Sequence, residues 1–179
     1  MNRRIQIPTL GAIALLLVTT TSATYAATPK PTATKNPYGA SQQIDPPGPN
    51  DTLLTVSNHS KVVKLTMNAL RKLGTTKISV YEPFVKTRQT FTVVSLAKIF
   101  KLVNIPSSAN IITDALNDYI YTNTASNFTA SNGQLAIERF GQPIPYDQGG
   151  PIRIIFPDKT PLAQNLNAWN WSLDIIKVK

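Results

Sequence analysis

The chain has 179 residues, 18 Lys and Arg against nine Asp and Glu, a formal charge of +9, and no cysteine. That length fits one domain with a core of its own, and the missing cysteine excludes disulfides, thiolate nucleophiles and thiolate metal ligands from this sequence. The positive balance favours anionic neighbours such as membrane surfaces or acidic polymers. Its basic residues form no block and no RNA-binding aromatic motif, so nucleic acid is not an expected partner.

Residues 1–26 read as a cleavable signal peptide. Arg3 and Arg4 form a positive start, Leu10 to Val18 an apolar run, and Thr24-Tyr25-Ala26 a small-residue cleavage site. The apolar run is shorter than the roughly 20 residues a membrane span needs, so no transmembrane span is expected after cleavage. Gln6 stands where a twin-arginine signal prefers a bulky apolar residue. Cleavage removes two arginines and leaves 16 basic against nine acidic residues, a formal +7. The expected location is periplasmic or secreted. Residues 27–51 hold six of the fourteen prolines and read as a Pro-rich flexible linker. The folded domain is expected over 52–179.

Within it, Thr52–Ser57 and Lys61–Leu65 read as strands of a hairpin. Thr66 can cap a short helix stopped by Gly74. Lys77–Tyr81 and Arg88–Val94 follow as strands, with Ile78 and Val80 on one face. Ser95 is the expected cap of the second helix, where Leu96, Ile99, Phe100 and Val103 make one apolar stripe before Pro106. Further strands are expected at Asn110–Leu116, Asp118–Thr122, Leu135–Phe140, Ile152–Phe156 and Leu173–Val178. Gly141-Gln142-Pro143 and Gln148-Gly149-Gly150-Pro151 supply turns. The sum is an α+β domain with two short helices.

Candidate chemistry is sparse. His59 is the only histidine, which rules out a multi-histidine metal site, and its Ser57-Asn58-His59-Ser60 setting reads as a surface turn. Asp114 and Asp118 match no calcium-loop spacing; a turn in which Asn117 and Asp118 bond local backbone is expected instead. Neither an esterase elbow, a zincin motif nor a phosphate-cradling loop is present. Trp169 and Trp171 would share a face if extended, either as a stacking platform or, for at least one of them, as core. Asn50, Asn58, Asn127 and Asn170 begin Asn-x-Ser/Thr sequons.

Several stretches carry a resemblance. They are Gln89–Phe100, Asp114–Tyr119, Leu135–Ile144, Gly149–Pro157 and the closing Trp169-x-Trp171-x-Leu173-x-x-Ile176-x-Val178. In order and spacing, over roughly residues 53–179, they resemble the oxidoreductase molybdopterin-binding domain of the sulfite oxidase fold. That resemblance implies a mixed, twisted, partly barrel-like sheet. It also implies a molybdenum-binding cysteine just after the strand matched by Lys77–Tyr81, where this chain has Tyr81-Glu82-Pro83. The long segment that follows that cysteine in the family is missing as well. Arg153 matches an arginine of the family's Gly-Pro-x-Arg strand.

The expected function is therefore an exported, cofactor-free binding or accessory domain with no catalytic and no metal-binding residues. Arg153, Asp118, Tyr119 and Glu82 are its candidate ligand-binding residues, and a small anion or a protein partner its expected ligand. Two alternatives stand beside it: a molybdopterin-dependent oxidoreductase, and a β-rich carbohydrate- or partner-binding domain using Trp169 and Trp171.

Overall fold

The computed structural model describes residues 45–179; the expected signal peptide and residues 27–44 of the expected linker lie outside the described residues. Ahead of the first strand, a turn closes between Gly48 and Asp51. Burial raises the Tyr146 phenol above its ordinary range, and the charge of Asp51 adds to the effect.

Strands β1 (Leu54–Asn58) and β2 (Lys61–Leu65) form the expected hairpin, with His59 at its tip in a left-handed conformation. Thr66 caps helix α1 (Met67–Lys72) by accepting from the Ala69 N–H. Gly74 ends it at φ +83°, a conformation glycine adopts without strain. The Lys98 ammonium donates to Leu73 O and Gly74 O, satisfying carbonyls the helix end leaves open.

Strands β3 (Thr76–Glu82) and β4 (Thr87–Ser95) pair antiparallel, with Tyr81 opposite Arg88 and Lys77 opposite Thr92. Helix α2 (Leu96–Leu102) follows without a break. Its apolar stripe is buried as the spacing predicts, Leu96, Ile99 and Val103 fully and Phe100 nearly so. The capping expectation is corrected: Ser95 makes no side-chain cap. It is still paired to Gln134 in the sheet, and Leu96 N–H donates to Gly133 O.

Strands β5 (Asn110–Ala115) and β6 (Ile120–Thr124) come next. The turn between them holds Asp118 at φ +63°, and Asn117 Oδ1 accepts from Tyr119 N–H. That Asx turn delays β6 to Ile120 rather than Asp118. A third helix, α3 (Ala125–Ala130), joins the two expected. Its sequence Ala-Ser-Asn-Phe-Thr-Ala has weak helix propensity, but the Thr124 cap and burial of Phe128 hold it. Phe128 packs against Phe100, Tyr121 and Phe156.

Strands β7 (Gln134–Arg139), β8 (Arg153–Ile155) and β9 (Leu173–Val178) complete the domain. Two sheets result, ordered β2-β1-β9-β5-β6 and β3-β4-β7-β8. Among the described residues only the β1–β9 pair is parallel. The second sheet is curled: β3 and β8 are its outermost strands, yet side chains from the two meet. The α+β class is thus as the sequence pattern implies, and the twisted, partly barrel-like sheet as the resemblance implies.

Candidate functional site

The meeting of β3 and β8 is an ion pair. Glu82 stands at the end of β3, on the inward side that the alternation of Val80 and Glu82 requires. Arg153 opens β8, placed by the Gly149-Gly150-Pro151 turn. Its Nη2 lies 2.7 Å from Glu82 Oε1, and neither side chain has any solvent exposure. Glu82 Oε2 accepts from the Val85 N–H at 2.9 Å, and Arg153 Nη1 donates to Gln148 O at 3.2 Å. Arg153 Nε is buried without a hydrogen-bond partner.

Aromatic rings complete the enclosure. The guanidinium carbon lies 4.7 Å from the Trp171 ring centroid and 5.4 Å from that of Phe91, distances at which a cation is attracted to a ring face. Phe84, in the β3–β4 turn, meets Trp171 edge-on at 4.7 Å. Gly149 fits beneath the indole, where a Cβ would lie 2.7 Å from Trp171 Cδ2. Of the two readings of the tryptophans, core burial of at least one holds and the shared platform does not. Trp169 is in the core, its Nε1 donating to Ala163 O, because residues 166–168 form a 3-10 turn and not an extended strand.

Of the four candidate residues, the fold brings Glu82 and Arg153 together and closes them from solvent. Asp118 and Tyr119 lie in the β5–β6 turn of the other sheet, where the Tyr119 hydroxyl donates to Asn167 O. His59 is exposed at its hairpin tip. Asp114 pairs within the β5 ladder. The Asn170 sequon side chain is fully buried and donates to Thr113 O and Oγ1. Sequence reasoning did not associate Phe91, Gln148 or Trp171 with Arg153. The Gly149-Gly150-Pro151 turn was the one local signal that backbone passes unusually close there.

A second polar link reinforces the curl. Asp158, just past β8, accepts from Tyr81 N–H at 2.8 Å and pairs with the Arg88 guanidinium. The Tyr81 hydrogen bond chiefly, then Arg88, hold its carboxyl below the ordinary range against the opposing effect of burial.

These residues do not supply the thiolate that the resemblance implies: the position carries a carboxylate, and each of its oxygens accepts a hydrogen bond from the protein itself. The interior beside it is filled by Arg153 and its rings. Among the described residues no three His, Cys, Asp or Glu side chains converge on a possible metal position. A cleft of about 170 Å³ between α2 and α3, lined by Phe100, Lys101, Ile105 and Thr129, contains none of the candidate residues. Nor is any helix among the described residues long and apolar enough to cross a membrane.

No protein-family model and no curated protein matches this chain. Its fold is similar to the crystal structure of the sulfane dehydrogenase SoxCD from Paracoccus pantotrophus, with a TM-score of 0.56 and 11% identity over 79% of this chain. The chain spans 45% of that one, less than half its length. At such identity the likeness is one of fold: an α+β domain with one mixed sheet and one antiparallel sheet that is curled into a half-barrel.

Proposed function

We propose that this chain is an exported, cofactor-free domain of the sulfite oxidase fold that acts as a binding or accessory protein. The observation that carries the proposal is the sealed Glu82–Arg153 pair. A metal at Glu82 would have to displace the Arg153 cation from a site closed to solvent, where each carboxylate oxygen already accepts a hydrogen bond, from Arg153 and the Val85 N–H. Freeing Glu82 would leave Arg153 as an uncompensated buried charge, a penalty of several kcal/mol. Export rests on the residue pattern of positions 1–26; N-terminal sequencing of the native protein should begin at Ala27.

The fold likeness to a sulfane dehydrogenase favours a second reading, a molybdopterin-dependent oxidoreductase. Metal analysis of the full chain, produced in a molybdopterin-competent host, separates the two. The expected result is no molybdenum and no oxo-transfer activity. Near-stoichiometric molybdenum would overturn the cofactor-free reading.

A further inference from the structure

The curl of the second sheet leaves its convex face outward. Alternation along β3 puts Lys77, Ser79 and Tyr81 on that face, all exposed, and Arg88, Thr90 and Thr92 stand opposite them on β4. This face carries one aromatic ring, hydroxyl groups and cations in register, and those six positions include no aliphatic side chain. Phe140, 62% exposed in the turn just past β7, donates its N–H to Thr90 O. Tyr81 and Phe140 are thus two strand spacings apart, about 10 Å laterally.

The charges on and around the face are unequal. Its acidic neighbours, Glu138 and Asp158, are already paired with Arg71 and Arg88. Lys77 and Lys159 also lie close enough for their charges to lower the carboxyl groups of Glu138 and Asp158 respectively. The surface therefore presents surplus positive charge, from Lys77 and Lys159, around two exposed rings.

We propose that this outer face binds an acidic polysaccharide. Ring faces of Tyr81 and Phe140 would take the C–H faces of sugar rings. Ser79, Thr90 and Thr92 offer hydroxyl partners, and Lys77 and Lys159 meet the carboxylates. A protein or lipid partner would call for aliphatic contact area at the centre of the patch, which these strands do not provide. The proposal gives the binding-domain reading a ligand class, yet it uses a surface separate from the closed interior. Metal analysis and glycan titration therefore fail independently.

The test is titration of the full chain with an oligogalacturonate, a neutral oligoglucan of equal length, and poly-uridylate, at low and high salt. Oligogalacturonate should bind, more weakly as salt rises, and the neutral glucan at least about tenfold more weakly still, since it lacks the charge-assisted contacts. Tyr81→Ala, Phe140→Ala and Lys77→Gln all alter exposed side chains and should leave the melting temperature nearly unchanged. Each should weaken oligogalacturonate binding roughly tenfold, the scale of one lost stacking or charged contact. Absence of binding, equal affinity for the neutral glucan, tighter binding of poly-uridylate, or unchanged affinity in all three variants would overturn the proposal.

Discussion

Glu82 and Arg153 show how one interaction can be costly to break without being stabilising overall. Both charges are desolvated, and Arg153 keeps one N–H unpartnered. The pair's attraction, the Val85 and Gln148 hydrogen bonds and the two ring faces offset that desolvation only in part. Removing one partner is a different matter, because the other then remains buried and uncompensated. Glu82→Ala should destabilise the domain by about 3–5 kcal/mol in urea unfolding. The double change Glu82→Met with Arg153→Met should recover most of that loss, as apolar replacement of a buried pair often does. A double variant as unstable as the single one would show that the pair stabilises the curl beyond filling its interior. Neither residue's partner could be read from the sequence. The two are 71 positions apart, and no local periodicity couples them; the resemblance alone placed both near one site.

At the scale of elements, legibility followed the strength of local pattern. β2 and β9 have the expected ends because alternation and turn residues bound them on both sides. The stripe of α2 was readable since its four apolar residues fall on one helical face. α3 was not, because Ser, Asn and Thr dominate it and only Phe128, through tertiary packing, makes it worthwhile. Ser95 misled for a related reason: a good capping residue can remain a strand residue when the sheet continues to its position. The α2 stripe carries the sharpest test at this scale. Phe100 is 4% exposed and meets Phe128 edge-on, while Gly133 lies tightly between Leu96 and Phe156. With so little room for collapse, Phe100→Ala should cost about 3–5 kcal/mol. A loss below about 1 kcal/mol in thermal or urea unfolding would mean that the helix does not anchor the core.

For the described domain as a whole, the curled sheet is closed by side chains where a backbone ladder does not run. One closure, Glu82–Arg153, is buried; the other, Asp158 with Tyr81 N–H and Arg88, is open to water, the Arg88 side chain being 61% exposed. Sequence pattern indicated an α+β domain and the resemblance implied a barrel-like sheet, but neither showed these closures, since they join its two outermost strands across the fold. The open closure should make stability depend on acid. Asp158 ordinarily titrates near 3.8, and its folded value is lowered; Glu138, paired with Arg71, is likewise lowered from 4.5. A lowered folded value means that the unfolded chain binds protons more readily. The stabilising contribution is therefore fully present above those ordinary values and is lost as pH falls through the folded ones. Melting temperature should stay nearly level from neutrality to roughly pH 5 and then decline. The Asp158 share is to be modest and reduced by salt, because Arg88 is well hydrated. Asp158→Asn isolates that share, as the amide oxygen can still accept from Tyr81 N–H while the charge is gone. The variant should melt below the parent at neutral pH, and the two curves should converge in acid once Asp158 is protonated. A gap that persists undiminished at the lowest pH would assign the effect to local packing instead of charge.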